Sequence, residues 1–391
     1  MTLAPSTVDG PLHGTLVVDL TRVLAGPYST MVLADLGARI IKVEAPDRGD
    51  DARQIGPWLD GQSAYFMSLN RGKESIALDL KSENDREIFE RLLSEADVLI
   101  ENYRAGTMER LGYPWQKLHA TYPRLVYAAV SGFGQTGPYA PRPAYDMVVQ
   151  GMGGIVSLTG HPDSPPTRVG TSVGDITAGL FATIGICAAL KEREHSGAGR
   201  MVDVGMLDCQ VAILENAIAR YVATGDVPGP IGARHPTITP FDAFTTSDGH
   251  VIIAAGNNSL FERLCTAIDR TELPNDDKFK TNPDRTAHVA ELKLQLESTL
   301  KAQTTAHWLP ILEAAGVPCG PINNVEEVVQ DPHVLARNMI VGVEGTEGFR
   351  VAGNPIKFPG VHDPVSRGAV PGLDSGRDQI LRELGLTSDR P

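Results

Sequence analysis

The chain has 391 residues, 42% of them apolar and 21% charged, and a net charge of −13 at pH 7. That length predicts two domains, or a large domain with a smaller companion, with ample apolar material for cores. The acidic balance and the lack of any Lys/Arg run argue against nucleic acid or a membrane surface as partner, so an anionic small molecule would need a locally basic pocket.

The opening residues, MTLAPSTVDGPLHG, lack a basic stretch followed by an apolar one, and no run of about 18 apolar residues stands out. The four cysteines, Cys187, Cys209, Cys265 and Cys319, have no CxxC spacing. They read as free thiols, so the expected location is cytoplasmic. TLVVDL (15–20) predicts a buried strand, TRVLAGP a loop, YSTMVLADLG a helix ending at Gly37, and RIIKVE (39–44) a second strand. ESIALDL (74–80), DVLIEN (97–102), RLVYAAVSGF (124–133) and RMVDVGM (200–206) predict further strands, with a Ser-capped helix over 82–96. Strands alternating with helices predict an α/β fold with a parallel sheet. A helix follows Asp175 and stops at HSGAG, and another follows residue 206. GDVPGPIGARHPTITP (225–240) has the composition of a linker. Beyond it a hairpin around Ser247-Asp248-Gly249 and helices near 259–269, 286–302 and 304–315 predict a small α+β domain. Strands from about 335 and a closing helix over 377–386 complete the chain. The expected organisation is a large domain over 1–224, a linker over 225–240, a small domain over 241–330 and a C-terminal segment over 331–391.

Glu44 at the end of the second strand resembles the ribose-binding acid of a dinucleotide site, but the preceding loop has only Gly26, followed by a proline. Its backbone cannot approach a pyrophosphate as GxGxxG allows. No Walker A sequence, GxSxG elbow or metal-ligand spacing is present. One carboxylate stands out. In VGTSVGDITAGL (169–180), Asp175 sits among small and apolar residues at a helix start. Read alone it is an N-cap.

Several stretches, in this order and spacing, resemble the class III coenzyme A transferases, the CaiB/BaiF superfamily. They are DLTRVLAGPYSTMVLADLGARIIKVEAP, NRGKESIALDL, ADVLIENYRAGTMERLGY, SGFGQTGPY, AYDMVVQGMGG and VGDITAGLFATIGICAALKEREHSGAGRMVDVGMLD, followed by DAFTTSDGHVIIAAGNN and GVPCGPINN. The resemblance covers nearly the whole chain. It implies an interlocked homodimer, with a Rossmann-like large domain built from the N-terminal half plus the C-terminal tail. It implies acyl-CoA and carboxylic acid as substrates, CoA esters rather than a permanently bound cofactor, and no nucleic acid, membrane or metal.

The resemblance also makes Asp175 the nucleophile. A carboxylate that attacks a thioester splits a slow exchange into easier covalent steps. The helix N-terminus would favour its anion, and Gly174 beside it is read as leaving room for an acyl group. Small residues at 178, 182, 185 and 189 predict close packing behind it. By position matching, Val23, Leu24, Ala25, Leu78, Asn102, Tyr103, Arg110, Tyr145 and Met206 are the expected CoA contacts, with Arg104 and Arg142 as weaker phosphate candidates. Unaided, these residues read as loop packing, a core leucine, a strand-end turn and solvated charges. Two glycine-bearing loops, 151–154 and 254–260, are the nearest to an oxyanion site, and neither is assigned a donor.

The same superfamily includes 2-methylacyl-CoA racemases, whose base is the His of a GHD triplet. Here the triplet is AYD, so Tyr145 stands in that place. A tyrosine is a poor partner for proton exchange near neutrality. Transfer is therefore expected over racemisation. ARHPTITPFDAFTTSDGH and GVPCGPINN look more like the succinyl-CoA–dicarboxylate branch than the oxalate–formyl-CoA branch. A distal carboxylate needs a cation, for which Arg234 with His235 is the candidate, with Arg53 and Arg71 as alternatives and Asp146 as a further substrate-facing residue.

Overall fold

Near-continuous apolar strands set the centre of the larger unit: LVVD, RIIKVE, VLIE and VYAAVS are buried at every position. Such strands belong inside a parallel sheet covered on both faces. The computed structural model describes residues 3, 4, 6 and 8–386; residues 1, 2, 5, 7 and 387–391, which fall in the first and last of the expected segments, lie outside the described residues. In chain order the main elements up to residue 224 are β1 (Leu16–Asp19), α1 (Ala25–Asp35), β2 (Arg39–Glu44), α2 (Ala64–Asn70), β3 (Glu74–Ala77), α3 (Glu83–Glu95), β4 (Val98–Glu101), β5 (Val126–Ser131), α4 (Asp146–Met152), α5 (Val173–Ser196), β6 (Met201–Gly205), α6 (Met206–Ala212) and α7 (Asn216–Thr224). The six strands form one parallel sheet in the order β3-β2-β1-β4-β5-β6. This is the doubly wound order, and it reverses direction between β1 and β4.

Successive strand residues point to opposite faces, and the core divides accordingly. Val18, Ile41, Leu99 and Tyr127 pack on one face with Phe89 and Leu92 of α3. Val17, Ile40, Ile100 and Ala128 pack on the other with Ala25 of α1 and Ala178, Ala182 and Ile186 of α5.

Several elements differ from expectation. Helix α1 begins at Ala25, not after Pro27. Pro27 lies in its first turn, where a missing N–H is tolerated. The helix expected to run on from residue 206 breaks into α6 and α7, where Glu215 takes a left-handed φ of 51°. Ser82 stands at the start of α3 without a side-chain cap bond. An 18-residue window of the 24-residue helix α5 has a mean hydropathy of 1.8, enough by length and composition alone to cross a membrane, although no uninterrupted apolar run of that length exists. Asp175 is the only charged residue between 173 and 190, and glycines and threonines mask the apolar run. One face of α5 is core, and Gly197 (φ 73°) ends the helix.

The chain divides into two units, Met1–Ser157 with Thr167–Pro228 and Pro332–Pro391, and Leu158–Pro166 with Gly229–Asp331. In the second, strands Phe241–Thr245 and His250–Ala254 form the antiparallel hairpin, with Cys319–Pro321 pairing outside the latter. Helices Asn258–Ala267, Val289–Leu300 and Thr305–Ala314 cover it through Phe261, Leu264, Leu296 and Trp308.

Candidate active site

Helix α5 begins one turn earlier than the sequence pattern implies, and this decides what Asp175 does. Ser172 is the residue before the helix and makes no side-chain cap bond. Asp175 lies inside the first turn, so it is not the N-cap. The cap comes from another helix: Oδ1 of Asp146, at the start of α4, accepts the Gly174 N–H at 2.8 Å. Oδ2 of Asp146 accepts from Gln150 at 2.8 Å, and Arg168 approaches it at 3.9 Å. The Gly174 amide is therefore satisfied without Asp175.

A Cβ at Gly174 would come within 2.7 Å of Val149 Cγ2 and 2.9 Å of Asp146 Oδ1. The glycine makes space for this capping contact rather than for an acyl group. Among the described hydrogen bonds and ion pairs, none involves the Asp175 carboxyl. Burial, and then the neighbouring Asp146 carboxylate, push its pKa up to about 7. The expected stabilisation of the anion by the helix terminus is outweighed.

The loop after β1 and the turn after β4 meet where the strand order reverses, the place where open α/β sheets bind ligands. Asn102 Oδ1 accepts the Arg22 N–H at 2.8 Å, and Asn102 Nδ2 donates to the Arg22 carbonyl at 2.7 Å. The Arg22 guanidinium lies 5.6 Å from the Tyr103 ring centroid. Val23 holds a left-handed φ of 65°, which is unusual for a β-branched side chain. Leu24 precedes α1 and Ala25 opens it. A Cβ at Gly179, one turn along α5 from Asp175, would come within 2.7 Å of the Ala25 carbonyl. Helices α1 and α5 therefore touch through backbone, and Val23, Leu24, Ala25, Asn102, Tyr103 and Asp175 share one region. Buried Ala178, Ala182 and Ala189 pack against this core, and a Cβ at Gly185 would strike Val202 at 2.5 Å.

Met206 lies in the same core cluster as Ala25 and Val149. Leu78 is buried in the cluster on the opposite sheet face, its N–H bonded to the Glu44 carbonyl at 2.9 Å. Tyr145 stands just before α4 and is 75% exposed. Arg110 is exposed and donates to Thr107, Arg104 is exposed, and Arg142 stacks 4.0 Å from the Tyr139 ring centroid. Arg53 and Arg71 are committed elsewhere, in bidentate pairs with Glu44 at 2.7 Å and with Asp35 at 2.7 and 3.0 Å. Glu44 is thereby a structural acid. Arg234 and His235 belong to the second unit, where Nδ1 of His235 accepts the N–H groups of Thr237 and Ile238.

Sequence reasoning missed Tyr65, on α2. Burial, and then the carboxylates of Asp175, Asp50 and Asp146, push its phenol up to about 12. The signal was slight, since YFMSLN reads as an ordinary apolar helix.

Comparison with known proteins agrees with this architecture. The profile described as CoA-transferase family III matches residues 12–378. An acetyl-CoA:oxalate CoA-transferase from Acetobacter aceti is 48% identical, covering 97% of each chain. A succinate–glutarate CoA-transferase from Agrobacterium fabrum is 39% identical, covering 96% of each. The relative named for oxalate thus shares more positions than the one named for glutarate. The crystal structure of a CaiB/BaiF family protein from Brucella suis superposes with a TM-score of 0.85 at 41% identity, covering 96% of this chain and all of that one. Doubly wound sheet, ordered motifs and family profile agree: the chain belongs to CoA-transferase family III, the CaiB/BaiF family, whose substrates are CoA thioesters.

Proposed function

We propose that this enzyme moves CoA between an acyl-CoA and a small dicarboxylic acid, with Asp175 as the covalent nucleophile. The observation that carries the reading is the Asp175 carboxyl itself. It opens a long helix, makes no hydrogen bond among those described, and leaves the capping to Asp146. An Asp175 oxygen attacks the thioester carbonyl and expels CoA thiolate, giving a mixed anhydride. The thiolate then attacks the aspartyl carbonyl, releasing the first acid and leaving an aspartyl-CoA thioester. The acceptor carboxylate attacks that carbonyl, and the thiolate returns to the acceptor's acyl carbon, regenerating Asp175. Val23, Leu24, Ala25, Asn102 and Tyr103 would hold the CoA chain at the switch point, with Leu78, Arg110, Tyr145 and Met206 further along it. Arg234 with His235 would meet the distal carboxylate of the acid.

The relatives named for oxalate and for glutarate support a dicarboxylate acceptor. The test offers acetyl-CoA and succinyl-CoA separately with oxalate, succinate and glutarate, and reads the product CoA esters by mass spectrometry. Hydroxylamine trapping is expected to modify Asp175 alone. Full transfer by Asp175→Ala would overturn the mechanism. Deuterium entering the α-position of a 2-methylacyl-CoA without CoA exchange would assign racemisation instead. An unchanged KM for dicarboxylates in Arg234→Ala would remove that residue from the site.

A homodimer is part of the same reading. Leu180, Phe181 and Ile184 of α5 and Tyr221 and Val222 of α7 are exposed apolar side chains that a second copy would cover. Light scattering is expected to give twice the mass of the chain, and a monomer at micromolar concentration would count against it.

A further inference from the structure

The loop between β1 and α1 is held by Asn102 and by side chains, among them Asp19, Lys42 and Asp50, that have no place in the chemistry above. The Thr21 N–H donates to Asp19 Oδ1 at 2.8 Å, and the Thr21 carbonyl accepts from Lys42 Nζ at 2.7 Å. Asn102 takes both polar backbone groups of Arg22. The Val23 N–H donates to Asp50 Oδ1 at 2.9 Å, and Lys42 Nζ pairs with Asp50 Oδ2 at 2.9 Å. Lys42 is fully buried and Asp50 nearly so. One ion pair thus reaches the loop on both sides of Arg22. Just there Val23 adopts φ 65°, where its branched Cβ is strained.

A buried ion pair is a weak source of stability, because desolvation offsets the attraction. A similar volume of apolar side chains would fill the space below the loop. They could not accept the Val23 N–H or donate to the Thr21 carbonyl, so the loop would relax toward ordinary backbone angles. What the pair supplies is loop shape.

We propose that Lys42 and Asp50 are positioning residues for acyl-CoA: acting through the Thr21 carbonyl and the Val23 N–H, they fix residues 21–24 in the form that receives the CoA chain. This rests on the reading of that loop as the CoA-facing loop.

Lys42→Met, Asp50→Ala and the milder Asp50→Asn test it. Asp50→Asn keeps an oxygen to accept the Val23 N–H while losing the charge. Hydrogen exchange is measured by mass spectrometry on a peptide spanning residues 20–26, and initial rates are measured with acyl-CoA and acid varied separately. In Lys42→Met and Asp50→Ala we expect exchange in that peptide to quicken about tenfold and the acyl-CoA KM to rise about tenfold. The acid KM and kcat are expected to stay within about twofold, and Asp50→Asn to fall between these variants and wild type. A purely structural role would lower the folded fraction and kcat while leaving the acyl-CoA KM alone, and that result overturns the proposal. Unchanged exchange in both stronger variants overturns the clamp. Faster exchange with an unmoved acyl-CoA KM overturns its link to CoA. If wild type neither transfers nor binds CoA by calorimetry, the functional reading fails and this proposal with it, while the exchange data still decide whether the clamp exists.

Discussion

Asp19 and Asp175 lie in the same unit and meet opposite fates. Burial raises the proton affinity of both. At Asp19, at the end of β1, Lys73 and then Lys42 outweigh burial, helped by the hydroxyls of Thr21 and Thr30, and hold its carboxyl down at about 2. At Asp175 no cation answers among the described ion pairs, and burial, joined by the like-signed Asp146, raises the carboxyl to about 7. A paired carboxylate is part of the frame. An unpaired one in the same fold is free to react, and its cost is borne by the structure around it.

The largest expected effect breaks this contrast at the reactive end. Asp175→Ala should lose about a thousandfold or more in transfer rate while remaining folded, read by initial rates and circular dichroism. The reverse applies at the structural end. Lys73→Met removes a fully buried cation that contacts Asp19 Oδ2 at 3.3 Å, Thr30 at 2.7 Å and Asn70 at 2.9 Å. It should destabilise the fold by about 3–5 kcal/mol in denaturant titration.

Linkage separates the two aspartates by sign. The folded pKa of Asp175 lies above its unfolded value, so its proton contributes stability fully below pH 3.8, and that contribution is lost as pH rises through about 7. Asp175→Asn stays neutral throughout. It should match wild type near pH 4 and exceed it by about 2 kcal/mol at pH 8, allowing for partial solvation. The smallest effect concerns the neighbour. The rate kcat/KM should rise with pH through about 7 as Asp175 ionises. Asp146→Asn retains an oxygen for the Gly174 N–H but removes the repulsion, so the rising limb should move down by up to about one pH unit. A limb that stays in place would show that Asp146 does not govern Asp175.

The sheet was legible because its strands carry short apolar runs that alternate along the chain with helical patterns, as a parallel sheet covered on both faces requires. Asp175 was legible as a feature, and without the resemblance it looked like a cap, because capping of Gly174 by Asp146, 28 residues earlier in the chain, leaves no local mark in the sequence. The start of α1 was hidden by Pro27, which normally signals a break. Arg53 and Arg71 looked available for substrate because sequence does not reveal that Glu44 and Asp35 already hold them. Tyr65 was invisible for a similar reason: its significance lies in three carboxylates distant along the chain.

The borrowed cap on α5 bears on how the protein assembles. The Gly174 N–H finds its acceptor only after Asp146 arrives on α4. The first turn of α5 is therefore incomplete until the two helices dock, although the remaining turns can form on their own contacts. The place where Asp175 sits is finished only by that docking, so a chain in which the two helices are apart carries the carboxylate in water. Reactivity arrives with the docking rather than with the helix that bears it.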